Sequence, residues 1–340
     1  MKFHKIVKLV GCIALLFSCS PLNGEQENTD IKHILSSAAS ANSEIVWEIS
    51  DIKMGDNQSN PMMVTTPNEL ILEGKQSGDS RIYIFAFNTQ DGAQLWKTEV
   101  DSSPAQLLIS NMVLYRGTGG AGHIQSYDIE NGKLLWDTAL PRAHSVVNLY
   151  DIEGNLFANT NNGLSFVLSK DGAILESIRT TGGIFYGTAA TIYLEESSAI
   201  ESRDKFTGVV RWHLDLEGTV GFSPIFDKNT IYLRTSGVPN NIIYSIDQTA
   251  GTVNWQLSTH AISNLYKTDS KLYYSTVDAH LISLDSESGQ EIERIDFSPP
   301  FELDGYGYIG RYYVTADPIN DIVVVSFGDS DQILGIKTKP

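Results

Sequence analysis

Six glycines, Gly92, Gly132, Gly172, Gly208, Gly251 and Gly289, follow one another at spacings of 40, 40, 36, 43 and 38 residues, each in a polar turn between two apolar runs. A chain that repeats itself at a period near 40 must build one supersecondary unit several times and stack the copies, as propellers and solenoids do. Four residues before the glycine stand Asn88, Asp128, Asp204, Asp247 and Asp285, and four residues after it stand Trp96, Trp136, Trp212 and Trp255. The third repeat has Leu168 and Glu176 at these positions, and the sixth has Glu293 in place of the tryptophan.

The second copy, residues 124–140, reads as strand, tight turn, strand: Gln125, Tyr127 and Ile129 alternate with Ser126 and Asp128, then Glu130, Asn131 and Gly132 reverse the chain into Leu134, Leu135 and Trp136. Each part of the motif has a physical task. Asp or Asn caps the turn through its side chain, Gly takes the positive φ, and Trp fills the space between neighbouring units. Two further apolar segments lie between successive hairpins, such as 105–109 with 112–115, so each unit supplies four strands. Strand-rich blocks of this length without amphipathic helices predict an all-β fold, a β-propeller with four antiparallel strands per blade.

The two ends of the chain predict closure. Residues 44–50 look like the last strand of a unit, with Trp47 in place and no turn before it, whereas 332–337 look like the strand that should precede one. Six whole units, 61–100, 105–140, 145–179, 184–216, 221–259 and 262–297, with a split unit of 306–337 and 45–50, predict seven blades, with eight as the alternative count. Pairing the N-terminal strand into the last blade removes exposed sheet edges.

Ahead of the repeats, Lys2, His4, Lys5 and Lys8 precede the apolar run 9–17, which is too short to span a bilayer and reads as a secretory signal. Leu16-Phe17-Ser18-Cys19 resembles the bacterial lipobox, although Phe17 stands where a smaller residue is usual. Cys12 falls within the segment that would be removed, so Cys19 is the expected lipidation site. The expected organisation is a signal peptide over 1–18, a lipidated polar tether over 19–44 and a propeller over 45–340. In the lipoproteins it resembles, a residue such as Ser20 after the cysteine is compatible with sorting to the outer membrane. The expected location is therefore an outer-membrane lipoprotein facing the periplasm of a Gram-negative bacterium.

The formal charge is −17, and loss of 1–18 leaves 21 basic against 41 acidic residues, or −20. Such a surface repels phosphate backbones and argues against nucleic acid as a partner.

Residues that could carry chemistry form no recognisable set. His123, His144, His260 and His280 fall in connections that a propeller places on one face, but with no HxxxH or HxH spacing they read as solvated loop residues. Residues 117–122, GTGGAG, join two strands with no helix to hold an anion and read as a hairpin. No catalytic or metal-ligating residue is assigned. The segment 298–313, SPPFELDGYGYIGRYY, departs from the repeat, and its Phe301, Glu302, Leu303 and Asp304, apolar groups flanked by acids, form a candidate partner-binding loop.

The repeats around Asn88-Gly92-Trp96 and Asp128-Gly132-Trp136 resemble the tryptophan-docking repeat of the pyrroloquinoline-quinone-like propeller family, over residues 45–340. That resemblance implies two functional classes. One is a protein-binding scaffold, a monomer within a larger complex, held to the membrane by its lipid and serving the outer-membrane β-barrel assembly machinery. The other is a quinone-dependent dehydrogenase or a periplasmic propeller that binds a sugar or other small ligand in its channel. The dehydrogenases resemble one another in an adjacent cysteine pair beside the cofactor and in metal ligands on inserted loops, and no residue of this chain matches those positions. The expectation is a non-enzymatic scaffold with no cofactor.

Overall fold

The computed structural model describes residues 43–338, apart from 55–61, 101–103, 121, 153, 180–182, 188–190, 197, 205–206, 221–223, 238–240, 277–279, 297–311, 318 and 328–332. The described residues are strands and turns, with no helix among them. They hydrogen-bond into seven sheets, not eight.

Sheet I comprises Ile52–Met54 and Met63–Thr65, both paired to Glu69–Gln76, then Ile82–Asn88 and Gln94–Val100. Sheet II runs Pro104–Ser110, Val113–Thr118, His123–Asp128 and Leu134–Ala139, and sheet III runs Val146–Ile152, Asn155–Thr160, Leu164–Leu168 and Ile174–Arg179. Sheet IV holds Gly183–Gly187, Thr191–Glu196, Ala199–Asp204 and Val210–Asp215. Sheet V holds Thr219–Val220 and Ile225–Asp227 against Thr230–Ser236, then Asn241–Asp247 and Val253–Thr259. Sheet VI is Tyr266–Lys267, Lys271–Ser275, His280–Asp285 and Glu291–Asp296. Sheet VII joins Tyr312–Asp317, Ile322–Phe327 and Ile333–Thr338 to the N-terminal Ser43–Ile49.

The sheets pack side by side in cyclic order, which makes the domain a β-propeller. Ile84 and Trp96 of sheet I meet Leu114 and Tyr127 of sheet II, and Tyr115 and Trp136 meet Leu149 and Leu156 of sheet III. The first two strands of sheet III lie against Gly183–Gly187 of sheet IV. Ile200 and Trp212 then meet Ile231 and Tyr244, Ile243 and Trp255 meet Leu272 and Leu284, and Tyr273 and Leu281 meet Val314 and Val323. Trp47 and Val324 of sheet VII complete the circuit against Leu70 and Phe87 of sheet I. The N-terminal strand pairs with the C-terminal one from Ser43↔Thr338 to Ile49↔Ile333, as the sequence at the two ends predicts.

Two unit boundaries need correction. Unit one begins at Ile52, not at 61: its first strand is split into two pieces that both pair with Glu69–Gln76. Unit five likewise begins at Thr219, not at 221, with its first strand split. Within each sheet the third strand is buried on both faces, since a neighbouring sheet covers each side. Ser126 is as inaccessible as the flanking Gln125 and Tyr127.

Candidate functional site

The recurrent motif is a joint between sheets. The six turn glycines have φ between 69° and 87°, the region that only glycine enters without strain. In the regular turns, Gly92, Gly132, Gly208, Gly251 and Gly289 donate backbone N–H groups to the carbonyls of Asn88, Asp128, Asp204, Asp247 and Asp285. The side chains of these capping residues accept from amides inside the turn, as in Gln90 N to Asn88 Oδ1 and Glu130 N to Asp128 Oδ1, both close to 2.8–2.9 Å.

Past each turn, the fourth strand carries a register slip at the residue preceding the tryptophan position, as at Leu95 between the pairs Phe87↔Gln94 and Ala86↔Trp96. This bulge tilts the tryptophan out of its own sheet. Its indole then reaches the next turn in the ring. Nε1 of Trp47, Trp96, Trp136, Trp212 and Trp255 donates to the carbonyls of Thr89, Ile129, Lys170, Gln248 and Ser286 at 2.6–3.1 Å. A side chain on Gly132, Gly172, Gly251 or Gly289 would collide with that indole, and one on Gly92 would press tightly on Trp47. The motif is therefore spent on assembly of the ring and is not available for chemistry.

The third turn differs from the sequence-based expectation at its cap. Ser169, not Leu168, occupies the capping place: Ser169 Oγ accepts from Ala173 N at 3.1 Å, and Gly172 N donates to Ser169 O at 3.0 Å. The turn is one residue shorter, so a fixed offset of four from the glycine points at the wrong residue; the polar Ser ahead of Lys-Asp-Gly was the available signal.

The remaining candidates fall as follows. His123 opens the third strand of sheet II and pairs with Asp137 at 2.7 Å; His280 opens that of sheet VI beside Thr276. His144 and His260 are exposed in links between sheets. Among the described residues no group of three or more His, Cys, Asp or Glu side chains could hold a metal ion. The glycine-rich hairpin packs on the next sheet: a Cβ at Gly117 would strike Val146, one at Gly122 would strike Ala143, and Gly120 N donates to Ser145 Oγ. Cys19 and the Phe301, Glu302, Leu303 and Asp304 loop lie outside the described residues, as do residues 1–42 as a whole. No helix of the described residues is long and apolar enough to cross a membrane.

Sequence reasoning missed a charged network in the core. Arg116 of sheet II and Glu73 of sheet I are both fully buried and form a two-pronged pair, Nε–Oε2 2.9 Å and Nη2–Oε1 2.8 Å. Burial pushes the Glu73 carboxyl up, and the guanidinium opposes this. Arg116 also donates to Gln125 Oε1, which accepts from Tyr127, while Gln125 Nε2 donates to Asp137, the partner of His123. The chain of hydrogen bonds thus runs from the interior to the surface. Its elements are satisfied by one another and hold neighbouring sheets in register. Arg234 in sheet V, pulled down to about 10 by burial, donates to the carbonyl of Ala261 at the start of sheet VI's territory.

Two surface features have the character of binding sites. A cleft of about 150 Å³ between sheets VI and VII is lined by Asp269, Lys271, Tyr273, Asp317 and Asp321. Burial, with the charges of Glu293 and Asp321, raises the Tyr273 phenol to about 12. The second is a series of exposed apolar residues at the start of the fourth strands, Leu95, Leu135, Leu175 and Ile292 at the bulge itself, with Val210 and Val253 one place earlier.

Known proteins sharpen this picture. The family described as "Outer membrane protein assembly factor BamB" matches residues 45–201 and 177–301. No curated protein sequence matches the chain. Among solved structures, BamB from Moraxella catarrhalis superposes with a TM-score of 0.53 at 16% identity, covering 89% of this chain and 90% of that one. A chain of the mitotic checkpoint complex superposes at 0.66 with 12% identity, covering 89% and 98%. The WD40 domain of Toxoplasma gondii coronin superposes at 0.62 with 10% identity, covering 88% of each chain. At these identities the structures share a fold alone, and propellers of unrelated role fit as well. The family assignment comes from the sequence match, which spans most of the repeat region: the chain belongs to the BamB family of outer membrane protein assembly factors.

Proposed function

We propose that this chain is an exported, lipid-anchored, seven-bladed propeller that acts as a non-enzymatic docking scaffold in the assembly of outer-membrane proteins. The observation that carries the reading is the family match over 45–201 and 177–301. Seven sheets in cyclic contact support the blade count. The apolar residues presented at corresponding places on successive outer strands support a role in holding other proteins. Cys19 supplies the anchor, residues 20–44 the tether, and Phe301–Asp304 part of the docking surface. The scaffold needs no cofactor.

Affinity capture from detergent-solubilised outer membranes, with the full chain as bait, should recover components of the β-barrel assembly machinery. Capture of none overturns the reading. Cys19→Ser should abolish incorporation of labelled palmitate and release the protein into the soluble periplasmic fraction. Addition of pyrroloquinoline quinone with calcium should change neither the absorption spectrum nor the melting temperature; a shift in either would move the assignment to the quinoprotein class. Replacing Phe301 and Leu303 with Ser should weaken capture of the partner.

A further inference from the structure

Three Asn-Gly pairs occur in the chain, at 23–24, 131–132 and 162–163, and the first lies outside the described residues. Such a pair carries its own chemistry. The glycine nitrogen attacks the asparagine Cγ, a five-membered succinimide closes as ammonia leaves, and water then opens the ring to aspartate or isoaspartate. One water enters and one ammonia departs, with no oxidation, and the glycine has no side chain to obstruct ring closure.

Asn131 and Gly132 lie in the turn of sheet II, inside the joint that Trp96 makes with it. In the other five turns the residue before the glycine is Asp91, Asp171, Thr207, Ala250 or Ser288, so this joint alone of the six carries the amide. Two features of the turn favour attack. The Asn131 side chain is exposed, and its Oδ1 accepts from Lys133 N at 3.0 Å, so a donor already stands where negative charge develops as the nitrogen adds to Cγ.

One feature restrains the reaction: the nucleophile, Gly132 N, donates its hydrogen to Asp128 O at 2.9 Å. That bond lasts while the turn stays closed, and the turn is held closed from sheet I. Trp96 Nε1 donates to Ile129 O at 2.7 Å and Thr98 Oγ1 donates to Gly132 O at 2.8 Å. Both side chains stand 2.5 Å from where a Cβ on Gly132 would lie. Asn162 is placed differently, with both ends of its amide tied down: Nδ2 donates to Arg142 O and Oδ1 accepts from Thr160 Oγ1, each at 2.7 Å.

We propose that Asn131 is a site of spontaneous deamidation gated by the joint between sheets I and II. Each opening of the joint frees Gly132 N, and the succinimide forms in the open turn. The product does not fit back. Isoaspartate routes the main chain through its own Cβ, adding a methylene to a turn already pressed against Trp96 and Thr98. Either product also replaces the amide that Asn131 Nδ2 donates to Asp128 Oδ2 with a second carboxylate, and like charges at that distance repel. A joint that has reacted is weaker afterwards, so the ring ages from this place, whatever the propeller binds.

The test is peptide mapping by mass spectrometry of the full chain after incubation at mildly alkaline pH and body temperature, with isoaspartate located by fragmentation. Asn131 should convert before Asn162. Trp96→Phe, which keeps an aromatic ring and removes the bond to Ile129, and Thr98→Val, which removes the bond to Gly132, should each speed conversion at Asn131 about fivefold, the effect of one hydrogen bond on the open population, and leave Asn162 unchanged. Equal acceleration at both asparagines would mean loss of the whole fold and overturns the gate. So does an equal rate at Asn131 in the wild type and both variants, conversion of Asn162 first, or no conversion at all. Asn131→Ser, with the residue type found before Gly289, should keep its melting temperature through the incubation, whereas the wild type should melt lower as it converts; converted wild type that melts like fresh protein overturns the weakened joint.

Discussion

The indole of Trp47 donates to the carbonyl of Thr89 at 2.6 Å and lies against Gly92, so the strand that completes sheet VII is fastened to the turn of sheet I. Trp47 is 6% exposed. Trp47→Ala should cost about 3–5 kcal/mol, the range for removing a buried aromatic, and Trp136→Ala, at a half-buried copy of the joint, should cost less. Chemical denaturation of the two variants checks the order. Deleting residues 45–50 should go further and unfold or aggregate the domain; unchanged melting of that truncation would refute closure.

The turn glycines separate backbone strain from packing. Gly289→Ala and Gly208→Ala both force alanine to a φ of 70°, a cost of about 1–2 kcal/mol. At Gly289 the new Cβ would also stand 2.7 Å from Trp255, whereas at Gly208 it meets nothing among the described residues. Gly289→Ala should therefore be the more destabilising by a clear margin in thermal melts, and equal losses would contradict the joint.

The buried pair of Arg116 and Glu73 gives an asymmetric prediction. Arg116→Met leaves a carboxylate fully buried without its cation and should cost about 3–5 kcal/mol near neutral pH, while the double change with Glu73→Leu should recover much of it. The pH dependence follows from the sign of the shift. A carboxyl raised by burial lowers stability while it is ionised, and the loss disappears as pH falls through its raised folded value. The Arg116→Met deficit should accordingly shrink between neutral and mildly acidic pH, as measured by urea midpoints.

His213 titrates in the opposite sense. It lies across from Glu201 in the strand pair of sheet IV and hydrogen-bonds Asp215 at 3.1 Å; these carboxylates raise its pKa above 6.5. A raised histidine contributes stability that is full below its unfolded value, near 6.5, and is lost as pH rises through the folded value. His213→Gln should therefore lower the melting temperature at pH 5.5 more than at pH 8.5. The effect is small because the side chain is partly exposed and its pairing screened.

What could be read from the sequence was whatever the repeat wrote several times. Gly132, Asp128 and Trp136 recur at fixed offsets because each joint needs a left-handed turn, a cap and an indole, and the structure places all three as their chemistry requires. Departures from the period were harder. Ile52–Met54 was missed because a split first strand has no run long enough to register as one, and Ser169 was missed because the third turn is one residue shorter. The alternation along 125–129 marks a strand but not its surroundings: a sheet stacked on either side buries Ser126 as well as Tyr127. Arg116 and Glu73 lie 43 residues apart, almost one repeat, and a single charge in an otherwise apolar strand does not announce its partner on the neighbouring sheet. Glu176 was visible as a lapse in the pattern, at the place where the other joints put an indole.

The pairing of Ser43–Ile49 with Ile333–Thr338 also sets a schedule. These partners are separated by nearly the whole domain, and the entropy of bringing such distant segments together makes their contact a late event. A chain emerging N-terminus first presents Ile45, Trp47 and Ile49 at the start and supplies their partners Ile336, Gly335 and Ile333 at the end. Sheets I to VI can stack in order while this strand waits with its apolar residues uncovered. Completion of the ring is thus a signal that the last residues have arrived, and the interval before it is when the protein most needs protection from aggregation.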